Sequence, residues 1–345
     1  MNDDLLPGAS SAPPSGPPGF RHVRWPRRRS FDIVRVLFWP FLSSISPLRR
    51  LALTTVAIFE LWETYRLWQL GMLDRNWVAL ALGFFVLLLL LGYELAEHAT
   101  LRRDSELGGE IAEWLLPHAP PSIPGYRLAF ASRRAADVGC DYYNAYPGGD
   151  RVFLVMADVA GTGMPAALLM ATFQAGLRTL VDSRMPLGEL TSQMNRWCWN
   201  RGIEGKHFTM AFFGDLDPRE GTLTYVSAGH QPPALQRADG TLERLDRGGV
   251  PLGALADSGY EIGTTRLDPG DALVIFSDGV VEAMDRREEL FGEDRVLHDL
   301  GATRGGTADQ ILERIRSSVL SFVGLTPQPD DISFLVLTRN TLPSA

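Results

Sequence analysis

Residues 152–170 read VFLVMADVAGTGMPAALLM, and this stretch decides the fold of the C-terminal part of the chain. Its first six residues form a short apolar run, which is typical of a buried strand. Asp158 follows that run, a glycine-rich segment comes next, and Pro165 occupies a favoured position just inside a helix. The pattern predicts a strand over 151–157, an aspartate at its end and a helix over 164–182.

Short strands and helices continue on both sides of this stretch, from about residue 125 onward. Further strands are predicted at 126–131, 208–216, 222–227, 233–237, 272–277 and 332–338. Further helices are predicted at 187–200 and 308–323. Because the strands cluster and do not alternate strictly with helices, we expect an α+β layered sandwich.

Aspartates also stand beside other predicted strands. Asp278 follows LVIFS, Asp330 and Asp331 precede ISFLVL, and Asp141 lies in VGCDYY. Strands of one sheet can bring such positions together, and clustered carboxylates repel one another unless a cation joins them. All-oxygen ligation without a His/Cys cluster favours Mg²⁺ or Mn²⁺ over zinc. A single aspartate here would be explained as a turn former, but four in comparable positions favour a divalent metal site.

Five segments follow one another along the chain, and four of them carry these aspartates. They are VGCDYY (138–143), VMADVAGTGMPAALLMA (155–171), FTMAFFGDLDPREGTLTYVSAGHQPP (208–233), LVIFSDGVVEAMDRREELFGEDRV (273–296) and PDDISFLVL (329–337). Together they resemble the metal-dependent protein phosphatases of the protein phosphatase 2C-like (PPM) superfamily, and within it the bacterial sporulation stage II protein E/RsbU branch. The resemblance covers about residues 108–339.

That resemblance implies an α-β-β-α sandwich with a central pair of antiparallel sheets. It also implies hydrolysis of phosphoserine or phosphothreonine by a hydroxide that two metal ions, Mn²⁺ or Mg²⁺, activate. Asp158 matches the aspartate that bridges both ions, and the backbone carbonyl of Val159 would complete the first site. The other acids that would bind metal and serve catalysis are Asp141, Asp278 and Asp330.

Several positions depart from the family pattern without removing an expected ligand. They are Cys140 in place of a glycine, Asn144 in place of a frequent acid, Ala160 in place of a frequent serine and Ser277 in place of threonine. Asp331 is the alternative ligand if Asp330 is misaligned. His230, in SAGHQPP, is interpreted as structural and not catalytic, and the sequence identifies no general acid.

The N-terminal part of the chain has a different composition. Residues 1–30 are predicted to be a disordered basic tail, and residues 31–97 a membrane region with spans at about 51–72 and 76–95. Residues 76–93 carry no charge and as a helix would measure ~27 Å, close to the ~30 Å hydrocarbon core of a bilayer.

The first of the two spans contains Glu60, Glu63 and Arg66, so an interfacial helix is its alternative. Arginine pairs lie before it, at 49–50, and after the second span, at 102–103. The positive-inside rule places both flanks in the cytoplasm, which requires two spans. We therefore expect a helical hairpin in the inner (cytoplasmic) membrane, with the catalytic domain facing the cytoplasm.

A linker helix at 98–120 is expected to lead into a phosphatase domain at 121–340. Residues 94–116 could join two copies in a homodimer, or move helices 164–182 and 187–200 and so control metal binding, or serve only as a passive stalk. The resemblance implies a phosphorylated regulatory protein, of the anti-sigma-factor antagonist kind, as the substrate. The alternative function is a catalytically silent membrane signalling adaptor on the same fold.

Other classes of function are disfavoured by composition and motif. The formal net charge of -8 argues against nucleic acid as a partner. The two cysteines, Cys140 and Cys198, form no CxxC and no disulfide framework. GTGMPA (161–166) satisfies a loose dinucleotide fingerprint, but that interpretation leaves the later aspartates unexplained. The chain has no G-x-S-x-G elbow of a serine hydrolase.

Overall fold

The computed structural model describes residues 47–70, 83–88, 90–92, 106–135, 138–161, 163–201 and 208–341. The chain divides into two compact units, Met1–Ala96 and Glu97–Ala345. In the first unit, the described residues include helix α1 (Pro47–Gln69), which covers most of the first predicted span. The second predicted span, 76–95, lies largely outside the described residues.

The second unit contains the strands and the remaining helices. The strands are β1 (Tyr126–Arg133), β2 (Asp141–Gly148), β3 (Arg151–Val159), β4 (Thr209–Leu216), β5 (Thr222–Ala228), β6 (Ala234–Gln236), β7 (Leu242–Arg244), β8 (Gly248–Gly249), β9 (Gly263–Arg266), β10 (Ala272–Phe276) and β11 (Ile332–Arg339). The helices are α2 (Gly163–Asp182), α3 (Leu187–Arg201), α4 (Asp278–Val281), α5 (Glu293–Ala302) and α6 (Ala308–Val323). Residues 106–115 are also helical.

Two sheets form the centre of this unit. One has five strands in the order β1-β11-β10-β6-β7, and the other follows the order β2-β3-β4-β5-β8, with β9 also paired to β5. Neighbouring strands are antiparallel except for the β5–β8 pair. The first and last strands of the domain, β1 and β11, pair along their whole length.

Three buried clusters show how the layers stack. Side chains of β1, β10 and β11 meet those of β3 and β4 between the two sheets, for example Leu335 with Leu154. Phe173 of α2 and Leu190 of α3 pack on the outer face of the six-stranded sheet. Leu300 and Ile315, from α5 and α6, cover the outer face of the five-stranded sheet. The order of layers is α-β-β-α, so the expected sandwich is confirmed.

Helix α6 shows how local sequence produces one of these layers. Its N-cap, Thr307, accepts a hydrogen bond from the Gln310 amide, and the Gln310 side chain accepts one from the Thr307 amide, which completes a capping box. Ile311, Ile315 and Val319 recur every four residues and are all buried. This spacing places them on one helical face, which packs on the sheet.

Among the described residues, one helix is long and apolar enough to cross a bilayer by length and composition, and it is Met164–Asp182. Its side chains Ala166, Met170, Phe173 and Leu177 are fully buried in the domain core. The apolar side chains of this helix therefore pack on the six-stranded sheet.

The predicted strands and helices of the domain are all present, within a few residues at their ends. The sequence did not predict β2 as a strand, nor β7, β8, β9 and the two helices α4 and α5. Strand β2 escaped notice because Asp141, Asn144, Pro147 and Gly148, which are uncommon in strands, interrupt its pattern. It is buried by the strand and helix neighbours that pack on it.

Candidate metal centre

Three aspartates from separate segments converge at one edge of the domain. One carboxylate oxygen from each of Asp158, Asp278 and Asp330 lies within 4.8 Å of the others. Asp158 is near the end of β3, Asp278 begins α4 directly after β10, and Asp330 precedes β11. The structure thus brings together three of the four acids that the sequence singled out.

The pairing of strands explains this convergence. Strands β10 and β11 are antiparallel neighbours, so the end of β10 lies beside the start of β11, and Phe276 is opposite Phe334. This arrangement places Asp278 and Asp330 next to each other. Asp158 reaches them from the second sheet, which packs face to face on the first.

The electrostatics of the cluster are those of crowded acids. Burial, followed by the charges of Asp330 and Asp278, raises the pKa of Asp158 to about 7. Burial also raises the pKa of Asp278, with Glu282 as the next cause. The pKa of Asp330 is likewise raised, mainly by burial. Each carboxylate would gain from a nearby cation.

Asp141 lies outside the group of three, although it is directly opposite Asp158 in the β2–β3 ladder. Its side chain is only 4 % exposed, and its Oδ2 atom has no hydrogen-bond partner in the described part of the chain. Burial and then the charge of Asp158 raise its pKa well above the ordinary value. An unpartnered buried carboxylate oxygen is costly, so a cation near this atom would stabilise the site.

The donor set fits a divalent cation of the Mg²⁺ or Mn²⁺ type. The three converging groups are all carboxylates, and hard cations prefer oxygen ligands. Burial is the largest cause of the raised pKa values and nearby negative charge a further one, and a bound cation offsets both because it stabilises the ionised carboxylates. The backbone carbonyl of Val159, next to Asp158, stays a predicted ligand.

Asp331 does not belong to the converging group, although the sequence offered it as an alternative to Asp330. Its carboxylate accepts hydrogen bonds from backbone amides, including that of Cys140 at 2.6 Å. The Cys140 thiol donates to the Gly161 carbonyl at 2.9 Å, and burial raises the pKa of this thiol to about 12. Such a thiol is protonated at neutral pH and is therefore a poor nucleophile.

His230 is buried and packs against Phe212. Its Nδ1 atom lies 2.7 Å from the Gln231 carbonyl, so the ring donates from this nitrogen. Burial lowers its pKa to about 4, which keeps the ring neutral at neutral pH. These contacts agree with a structural role.

Two features of the site were missed by the sequence reasoning. Glu282, the C-cap residue directly after α4, adds negative charge beside Asp278. Ser277 donates through its hydroxyl to the Asp331 carbonyl at 2.9 Å, which ties the two acidic segments together. Ser277 could have been found from the sequence, since it directly precedes Asp278. The nearness of Glu282 to Asp278 follows only from the helical turn of α4.

The comparisons with known proteins agree with this geometry. Residues 148–340 match the family described as stage II sporulation protein E (SpoIIE). The protein IcfG of Synechocystis sp. is 27 % identical over 266 residues, which cover 69 % of this chain and 42 % of IcfG. The chain thus spans less than half of that relative.

The matches to a second relative and to one solved structure cover a larger share of those proteins. The phosphoserine phosphatase RsbU of Bacillus subtilis is 27 % identical over 266 residues, covering 74 % of this chain and 78 % of RsbU. The SiaA-PP2C domain of Pseudomonas aeruginosa superposes with a TM-score of 0.60 at 19 % identity, covering 70 % of this chain and 98 % of that domain. This likeness shows that the two share the fold.

Proposed function

The chain belongs to the stage II sporulation protein E (SpoIIE) family, and on this premise we propose that it is a membrane-anchored, metal-dependent protein serine/threonine phosphatase. Its C-terminal domain is a protein phosphatase 2C-like phosphatase domain of that family. The observation that carries the proposal is the convergence of Asp158, Asp278 and Asp330 within 4.8 Å.

The residues of this chain would bind and orient the reacting groups. Asp158, Asp278 and Asp330, with Asp141 and the Val159 carbonyl, would hold two ions of Mn²⁺ or Mg²⁺. When bound, such ions supply a hydroxide nucleophile near neutral pH and neutralise charge on the phosphoryl oxygens. The sandwich places the three converging acids on or directly beside paired strands, Asp158 within β3, Asp278 after β10 and Asp330 before β11, so their spacing is set before the substrate arrives.

The proposed substrate is a phosphoserine or phosphothreonine of a regulatory protein, of the anti-sigma-factor antagonist kind. The support is similarity to RsbU, which is described as a phosphoserine phosphatase. A silent adaptor on the same fold is the second candidate. Retention of the converging acids favours the enzyme, because an adaptor would have no need of them.

For the N-terminal region we propose a membrane hairpin with spans at about 51–72 and 76–95. Helix α1 exposes large apolar side chains, among them Leu61, Trp62 and Trp68, each more than half exposed. Glu63 and Arg66 of the same helix stand three residues apart and pair at 3.3 Å. This pairing lowers the cost of placing both charges at a membrane.

The domain limits follow the same scheme: a basic tail at 1–30, a membrane region at 31–97, a linker helix at 98–120 and the phosphatase domain at 121–340. A homodimer through 94–116 is part of the proposal. On the described part of that segment, Leu107 and Trp114 are 44 % and 76 % exposed. They lie seven residues apart and therefore on one helical face.

The test is phosphate release from a phosphoserine peptide by the purified full-length chain, with and without Mn²⁺. We expect metal-dependent release that falls by more than about 100-fold in Asp158→Asn and Asp278→Asn, beyond the ~10–100-fold typical of outer-shell losses. Asp309→Asn is the control, because Asp309 is exposed and pairs with Arg127. It should keep full activity.

Two results would count against the enzyme. Equal release by the parent chain and by both site variants would refute the assigned residues. A folded parent chain that neither binds Mn²⁺ nor releases phosphate would favour the silent adaptor.

A further inference from the structure

Asp331 is buried beside the converging acids, and both of its carboxylate oxygens accept hydrogen bonds from backbone amides. Its side chain is 4 % exposed. Oδ1 accepts a hydrogen bond from the Ala135 amide at 2.8 Å. Oδ2 accepts from the Cys140 amide at 2.6 Å and from the Asp141 amide at 3.3 Å. All three donors belong to the connection from β1 into β2, the segment that delivers Asp141.

Two glycines show how closely the neighbouring segments approach Asp331. A Cβ atom on Gly139 would lie 2.8 Å from Asp331 Oδ2. A Cβ atom on Gly279 would collide with the backbone carbonyl of Asp331. Cβ contacts below 3.0 Å are essentially never seen, so only glycine allows the segments of Asp141 and Asp278 to close on Asp331.

The main chain of Asp331 completes these links. Its amide donates to Asp330 Oδ1 at 2.7 Å. Its carbonyl accepts from the Ser277 hydroxyl, and Ser277 Oγ in turn accepts from the Ser333 amide at 3.0 Å. Asp331 therefore contacts the segments that carry Asp141, Asp278 and Asp330.

We propose that Asp331 is a positioning residue that sets the spacing of these acids and is not itself a metal ligand. The inference deepens the proposed function and rests on it for the link to metal binding. Hydrogen bonds from amides to an ionised carboxylate are roughly twice as strong as neutral ones. They hold the β1–β2 connection in place, so the site is arranged before a cation binds.

The test uses Asp331→Asn in the full-length chain. Asparagine keeps the volume but has one acceptor oxygen, so it loses the bond to Ala135 or the bonds to Cys140 and Asp141. In metal-free protein, we expect hydrogen exchange at the amides that lose their acceptor to accelerate at least tenfold. The Mn²⁺ concentration for half-saturation, measured by calorimetry, should rise about 10–100-fold, as for other outer-shell losses.

Asp271→Asn is the matched control. Asp271 is also buried, and it accepts hydrogen bonds from the Ala238 and Asp268 amides at 2.8 and 2.9 Å. It lies at the start of β10, whereas Asp278 lies beyond the end of that strand. This variant should lose stability by a similar mechanism and leave Mn²⁺ affinity unchanged.

A second variant, Gly139→Ala, keeps the carboxylate and displaces the connection that it holds. We expect the same rise in exchange and in the Mn²⁺ requirement as for Asp331→Asn. Unchanged exchange and affinity in both variants would overturn the proposal. Loss of Mn²⁺ binding in Asp331→Asn with full amide protection would also overturn it, because Asp331 would then be a ligand.

The exchange measurement needs no activity. If the parent chain releases no phosphate, but amide hydrogen exchange accelerates in Asp331→Asn as expected, the proposed function fails while the positioning role of Asp331 stands. If phosphate release is normal and the exchange does not respond, the inference alone fails.

Discussion

At the scale of single residues, Asp158 carries an unfavourable charge in the metal centre. It is largely buried, and Asp330, Asp278 and Asp331 all add negative charge around it. Its pKa of about 7 means that, without metal, this carboxyl holds a proton through much of the acidic range. A bound cation would displace that proton, so metal affinity should increase as pH rises toward neutrality.

The first residue-scale prediction concerns stability in the absence of metal. Because the pKa of Asp158 is higher in the folded protein than in the unfolded chain, the folded state binds more protons between about pH 4 and pH 7. The contribution of protonated Asp158 to the free energy of unfolding is fully present below that window and is lost as pH rises through it. With EDTA present, we expect the free energy of unfolding to fall by more than ~1.4 kcal/mol between pH 5 and pH 7.5, since one pKa unit corresponds to that amount.

Denaturant unfolding of the full-length chain at a series of pH values measures this slope. Asp158→Asn removes the titrating group, so its slope should be smaller than that of the parent chain. Adding Mn²⁺ should restore stability to the parent chain at pH 7.5 and much less to the variant. Identical slopes for the two proteins would contradict the assignment.

At the scale of secondary-structure elements, the helical segment 106–115 is more than a passive connection. Ala112 and Leu115 are buried in the same core as Phe173 of α2. The Gln174 side chain donates to the Leu115 carbonyl at 3.3 Å. Gly108 lies so close to the backbone of Met164 that an added Cβ would be 3.2 Å away.

The same segment also contacts the connection that leads to Asp141. Arg134 donates to the Gly109 carbonyl at 3.0 Å and to the Glu113 carboxylate at 3.3 Å. One short helix therefore contacts the start of α2, which follows Asp158, and the β1–β2 connection. These contacts support the proposal that movement of the linker changes metal binding.

The element-scale prediction is that a fragment of residues 121–341 is less stable than a fragment of residues 106–341. Removing the helix exposes the core surface that Ala112 and Leu115 cover. We expect a loss of about 2–5 kcal/mol, the range for losing one large buried aliphatic side chain. Urea unfolding followed by circular dichroism measures the difference.

Two substitutions within the helix sharpen this test. Leu115→Ala removes a buried side chain and should reproduce much of the loss. Trp114→Ala removes a neighbour that is 76 % exposed, so it should change the free energy of unfolding by less than ~0.5 kcal/mol. Equal effects of the two would show that the helix does not pack as described.

At the scale of the whole molecule, the chain combines an acidic catalytic unit with a basic, apolar N-terminal region. Residues 1–50 hold eight arginines against three aspartates, although the chain as a whole has a net charge of -8. Such an asymmetry suits an anionic membrane surface on the cytoplasmic side.

The whole-molecule prediction is that the full-length chain partitions into the membrane fraction and stays there in high salt and at alkaline pH. A fragment of residues 98–345 should appear in the soluble fraction. Leu90→Arg in the intact chain should weaken retention, because an arginine at the centre of a span costs roughly 2.5–3.5 kcal/mol. If high salt extracts the intact chain from the membrane fraction, the hairpin is contradicted, and a helix bound to the membrane surface is favoured.

The sequence by itself determined much of the local structure and part of the site. The run 152–157 and the glycines after Asp158 predicted β3 and α2 almost to the residue. Periodicity and turn chemistry are local properties, so neighbours along the chain suffice to encode them. The motifs around Asp158, Asp278 and Asp330 likewise pointed to the acids that converge.

Only the tertiary structure decided which of Asp330 and Asp331 faces the cluster of carboxylates and which accepts hydrogen bonds from the backbone of the β1–β2 connection. Asp330 and Asp331 are adjacent in sequence, yet Asp330 is one of the three converging carboxylates, whereas Asp331 accepts a hydrogen bond from the Cys140 amide, 191 residues away along the chain. The linker helix was assigned outside the domain, and its buried residues lie in the core. Strand order, register and layer packing produce these outcomes, and they depend on contacts between distant segments that a local pattern does not contain.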